Sequence, residues 1–213
     1  MRRAFFAVLI LLAACSRKAP SEPKPAAETG GPVALFVGDS LTAGYGVDPE
    51  DAWPALIGAQ WRKRGLAWRA RDAAVSGATS AGVEGEVDWA LTPEVKLVFV
   101  CVGGNDGLRG VPPSVTHQNL YTLIAGLQGR GLRVALAGMR IPPNYGAERA
   151  RAFAAIFPAL ARERHVPFLP FLLEGVAADP ALNQEDGIHP NVEGHRRVAA
   201  TVAAFLDKES LLK

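Results

Sequence analysis

The chain has 213 residues, with 23 Lys and Arg against 21 Asp and Glu for a formal net charge of +2. Arg2 and Arg3 supply that excess and lie in a segment expected to be removed, so the mature chain is near neutral and nucleic acid is excluded as an expected partner. Past the N-terminal region about 180 residues remain, which suits one domain with a sizeable core and leaves no room for a second.

Met1-Arg2-Arg3 precedes an apolar run from Ala4 to Ala14, too short to span a bilayer and of the right length for an export leader over residues 1–14. Leu12-Ala13-Ala14-Cys15 resembles the lipobox of bacterial lipoproteins, in which the cysteine becomes the lipid-modified first residue. The expectation is therefore an exported protein, lipid-anchored to the cell envelope through Cys15 and facing the periplasm or held at the outer membrane. Residues 15–31 switch to Pro, Ala, Lys, Glu and Ser, cannot bury a core, and are expected to form a tether to the domain spanning 32–213.

Within that domain, short apolar runs at Val33–Val37, Trp68–Val75, Val95–Val102, Leu132–Ala137 and Val166–Leu169 read as strands. Segments of helical spacing separate them, including Trp53, Leu56, Ile57 and Trp61 and, near the C-terminus, Val198, Val202, Phe205 and Leu206. Such alternation predicts an α/β fold, a three-layer α/β/α sandwich with a five-stranded parallel sheet. Cys101 falls inside a strand run and reads as a buried free thiol rather than half of a disulfide.

The first strand runs into Gly38-Asp39-Ser40-Leu41, which places a serine at the carboxyl edge of a parallel sheet. A serine hydroxyl needs an imidazole to take its proton and a carboxylate to orient that imidazole. Asp186-Gly187-Ile188-His189 supplies both in a loop before the last helix. Donors for a developing oxyanion are available from the Ser40 N–H, from Gly77 after the second strand and from the amide of Asn105 after the third. Asp39 reads as a structural residue holding the turn. His117, His165 and His195 have no second ligand at metal-like spacing, so neither a metal nor a cofactor is expected.

These four blocks, in this order, resemble those of the SGNH, or GDSL, hydrolases. Gly44-Tyr45-Gly46, Gly107-Leu108-Arg109-Gly110, Ile141-Pro142-Pro143-Asn144-Tyr145-Gly146 and Phe171-Leu172-Leu173-Glu174 are similar to the bacterial arylesterase and acyl-thioesterase/lysophospholipase subfamily. The resemblance runs from about Pro32 to Leu206 and implies a flavodoxin-like strand order. It also implies a serine esterase, expected as a monomer, that acts on small esters, thioesters or lysophospholipids through Ser40, His189 and Asp186. Leu108, Arg109, Pro142 and Tyr145 are candidate substrate contacts, since the loops 108–113 and 141–146 could wall an acyl groove. A carbohydrate O-deacetylase using the same residues, or a lipid-anchored binding protein without the chemistry, are the alternatives.

Overall fold

The computed structural model describes residues 30–213. The expected leader, Cys15 and all but the end of the tether lie outside the described residues.

Strands β1 (Val33–Gly38), β2 (Arg69–Ala74), β3 (Val95–Cys101), β4 (Arg133–Ala137) and β5 (Phe168–Leu169) form one sheet in the order β2-β1-β3-β4-β5. Every neighbouring pair is parallel, so the flavodoxin-like topology is present. Helices cover both faces, as a parallel sheet requires. On one side, α2 (Trp53–Lys63) packs with α7 (Val192–Lys208); elsewhere α5 (Pro113–Gly129) packs with α6 (Ala147–Arg164). Short helices α1 (Ser40–Ala43), α3 (Val83–Ala90) and α4 (Gly104–Arg109) follow the first three strands of the order β1, β2, β3.

The apolar stripes become core. All six β1 residues are buried, and Phe36 sits in register with Phe99 of β3. Their rings meet at 6.0 Å, with Trp53 of α2 4.9 Å from Phe36 and Phe205 of α7 5.8 Å from Phe99. The two edge-on pairs, Phe36–Trp53 and Phe36–Phe99, add about 1 kcal/mol each beyond burial, and with the tilted Phe99–Phe205 pair the cluster fixes α2 and α7 relative to the strand that leads into Ser40. Cys101 is a buried free thiol whose ionisation burial pushes strongly upward. Its Sγ lies 3.2 Å from Thr42 Oγ1, tying β3 to α1.

Registration of the strand ends positions the site. Gly38 pairs with Ala74 of β2 and with Cys101 of β3, so the three strands stop side by side and the segments that follow them converge. Gly38 itself admits no side chain, because a Cβ there would fall 2.1 Å from Thr42 Oγ1.

Candidate active site

Ser40 opens α1, and Asp39 caps it. Asp39 accepts the Leu41 N–H on Oδ1 at 3.1 Å, while the Thr42 and Ala43 N–H groups go to its carbonyl at 3.0 and 2.9 Å. Those bonds take the donors of the turn after Ser40 and leave the Ser40 N–H over. From the other side, Trp53 Nε1–H donates to the Leu41 carbonyl at 3.0 Å. The serine is thus set on a short helix held at both its cap and its flank.

The partner loop lies between β5 and α7. An antiparallel bridge from Asn183 to Pro190 and a Gln184 N–H to His189 carbonyl bond of 2.8 Å close it into a compact turn. Asn191 then caps α7, accepting the Gly194 N–H at 3.0 Å. Inside this turn Asp186 Oδ1 accepts the N–H groups of Ile188 and His189 at 2.8 and 2.9 Å, and Oδ2 meets His189 Nδ1 at 2.6 Å. Burial by itself would raise the Asp186 pKa, but the hydrogen bonds from His189 and Ile188 outweigh it and bring it down to about 2. A negative carboxylate therefore faces Nδ1, which fixes Nε2 as the ring atom left for Ser40. That contact is made: His189 Nε2 stands 2.9 Å from Ser40 Oγ.

The two other expected residues flank the same opening. Gly77 follows β2 at φ 83°, a conformation that a side chain would strain, and Asn105 lies in α4 just after β3. Asn105 Nδ2 donates to the Ala78 carbonyl at 3.0 Å, and since an amide nitrogen carries two hydrogens the other remains for a ligand. Ser40, Gly77, Asn105, Leu108, Tyr45, Ile188 and His189 line one cleft of about 350 Å3. A second, mostly apolar groove of about 290 Å3 shares Leu41, Gly104, Leu108 and Ile188 with it and runs on past Met139, Ile141, Pro142, Phe171 and Leu173.

Of the four candidate substrate contacts, Leu108 lines both spaces and Pro142 lines the apolar groove. Arg109 and Tyr145 line neither; Arg109 instead reaches toward Gly77, its Nη2 3.4 Å from where a Cβ on that glycine would be. Ser40, His189, Asp186, Gly77 and Asn105 are brought together as the sequence blocks implied. The sequence blocks of Gly77 and Asn105 include Ser80 and Asp106 without giving either a role, and they leave out Gln184; all three join the segments of the site to one another. The bonds that join separate segments, Gln184 to Tyr45 and Asp106 to Ser80, span distant parts of the chain, and only the adjacency of Asp106 to Asn105 hints at a role. Burial raises the Asp39 pKa to about 6, against the opposing pull of the Leu41 hydrogen bond and the His189 charge. His195 is buried, and its Nδ1 accepts the Trp53 N–H at 3.3 Å. Among the described residues no cluster of His, Cys, Asp and Glu is arranged to hold a metal ion.

Comparison with known proteins identifies the family. Residues 36–197 match the model of the GDSL-like Lipase/Acylhydrolase family. The chain is 36% identical to Esterase TesA of Pseudomonas aeruginosa over 91% of its own length and 94% of that protein's. It is 38% identical to the Thioesterase 1/protease 1/lysophospholipase L1 of Escherichia coli over 81% of this chain and 82% of that one. Among solved structures, the psychrotrophic esterase EstA from Pseudoalteromonas sp., inhibited by monoethylphosphonate, superposes with a TM-score of 0.79 at 29% identity, covering 83% of this chain and 97% of that one. The chain belongs to the GDSL-like Lipase/Acylhydrolase family of ester hydrolases.

Proposed function

We propose that the protein cleaves acyl esters and thioesters by a Ser40-His189-Asp186 triad through an acyl-enzyme. The observation that carries this reading is the unbroken chain from Ser40 Oγ to His189 Nε2 at 2.9 Å and from Nδ1 to Asp186 at 2.6 Å. Ser40 Oγ attacks the acyl carbonyl carbon as His189 Nε2 takes its proton, and Asp186 stabilises the imidazolium that results. Negative charge then on the carbonyl oxygen is met by the Ser40 and Gly77 N–H groups and the free Asn105 N–H. Collapse breaks the bond to the alcohol or thiol, which leaves with the proton from His189. Water gives a proton to His189 and attacks the acyl-Ser40 carbonyl, releasing the acid and returning the proton to Oγ.

An acyl chain rather than a sugar is the favoured substrate because the groove that continues from the cleft is walled by Leu108, Ile141, Pro142, Phe171 and Leu173. The thioesterase and lysophospholipase named among its relatives fit such a groove. Nitrophenyl esters of rising acyl length test it: turnover per unit of KM is expected to increase from acetyl to medium chains and to fall when Ile141→Trp fills the groove. A preference for acetylated sugars over every longer ester would instead assign the O-deacetylase alternative.

Export and anchoring through Cys15 complete the proposal and are supported by Leu12-Ala13-Ala14-Cys15 and the Pro-rich stretch after it. More than one acyl chain is needed for durable attachment. Cys15→Ala is expected to move the protein out of the detergent-requiring membrane fraction or to block its processing; wild-type protein that is soluble, with Cys15 unmodified by mass, would refute the anchor.

A further inference from the structure

Four polar side chains with no part in the bond-making steps above form a connected network beside the cleft. Asp106 Oδ2 accepts the Ser80 N–H at 2.8 Å, and Oδ1 accepts the Ser80 hydroxyl at 2.5 Å and that of Thr116 at 3.3 Å. Asn119 Nδ2 donates to Ser80 Oγ at 3.0 Å. Asp106 is only 1% exposed and Ser80 4%. A carboxyl group so far from water is costly unless donors surround it, and here both of its oxygens hold the same residue of another segment.

That segment is the one carrying Gly77, and Asp106 is the immediate neighbour of Asn105. The loop after β2 and the helix after β3 are therefore joined by bonds running in opposite directions. Asn105 donates to the loop at Ala78, and the loop donates back at Ser80 to Asp106. With only the first of these bonds the loop could swing about it; the second, two residues on, removes that freedom.

We infer that Asp106, by gripping Ser80, is a positioning residue for ester hydrolysis: it locks the loop of Gly77 against the helix of Asn105 so that their two N–H donors share one target. This rests on the reading of Gly77 and Asn105 as oxyanion donors. Donors aimed at a developing charge contribute to turnover only while their geometry is fixed, and misplacement by about 1 Å can cost about 100-fold.

The test is a set of kcat and KM measurements on a short nitrophenyl ester with Ser80→Ala, Asp106→Asn and Asn105→Ala, singly and with Ser80→Ala combined with Asn105→Ala. Each variant is assayed well below its own melting temperature. Ser80→Ala is expected to lower kcat by about 10-fold or more while KM moves by less than about threefold. In the Asn105→Ala background the same change should cost much less, because one of the donors it aims is already gone. Should Ser80→Ala and Asp106→Asn reduce the melting temperature yet leave kcat within about twofold, the network merely supports the fold and the inference fails. Fully additive losses in the double variant would overturn it too. Normal kcat in Asn105→Ala alone would instead sink the oxyanion reading on which it stands.

Discussion

Gln184 Nε2 donates to the Tyr45 carbonyl at 2.7 Å and to the Pro190 carbonyl at 3.0 Å, so one amide ties the loop of Asp186 and His189 to the segment that follows Ser40. The contact is close: a Cβ on Gly46, whose φ is 78°, would lie 2.2 Å from Gln184 Oε1. The Tyr45 ring in turn rests against His189, centroids 4.7 Å apart. Gln184 thereby sets the distance between nucleophile and base, which come from opposite ends of the domain.

Gln184→Ala removes that tie without touching a reacting atom. A hydrogen bond of this kind contributes about 1 kcal/mol, so turnover should fall by about fivefold with folding intact. Steady-state kinetics on a nitrophenyl ester checks this, and an unchanged rate would show that the two loops hold register without it.

His189→Ala should abolish nearly all turnover, by about 1,000-fold or more, whereas His195→Ala should act on stability. Burial, opposed by the Asp51 charge, lowers the His195 pKa to about 4 from an ordinary 6.5. The unfolded chain therefore takes a proton that the native chain refuses, and stability from this residue is lost as pH falls from about 6.5 towards 4. Removing the imidazole should flatten that part of the stability profile, read by chemical denaturation at several pH values, while leaving the Trp53 N–H unpartnered at a cost of about 1–3 kcal/mol.

Asp39 carries the opposite sign. Its native pKa of about 6 lies above the ordinary 3.8, so between those values the native state holds a proton that the unfolded state has lost, and stability declines as pH rises through the window. Asp39→Asn keeps an acceptor for the Leu41 N–H and removes the buried charge. Relative to wild type it should gain about 3 kcal/mol between pH 4 and 7. A pH-independent difference between the two proteins would show that Asp39 is not held in this way.

Much of this was readable because the site follows the strands. Val33–Gly38, Arg69–Ala74 and Val95–Cys101 are each followed by one block of the site; apolar runs mark β1 and β3, whereas β2, at the sheet edge, carries Arg69, Arg71 and Asp72 and is marked only weakly. Asp186 and His189 were readable because their bond is local, closed within one turn. Gln184 with Tyr45, and Ser80 with Asp106, were not: a hydrogen bond between side chains far apart in sequence imposes no period and no composition. The groove walls were readable only in part. The Pro-rich loop does bring Ile141 and Pro142 to the groove, but the turn Pro143–Tyr145 leaves Tyr145 exposed outside it, because chain stiffness does not dictate which way a side chain points.

The most direct test of the account is the intact mass of the protein after treatment with a fluorophosphonate, for wild type and Ser40→Ala side by side. Attack by Ser40 Oγ on phosphorus with loss of fluoride should give wild type one stable adduct, mapped to Ser40 and formed in step with the loss of esterase turnover, while Ser40→Ala stays unlabelled and inactive. An adduct on another residue, or a Ser40→Ala protein that still hydrolyses esters at the wild-type rate, would contradict the assignment of Ser40 as the nucleophile.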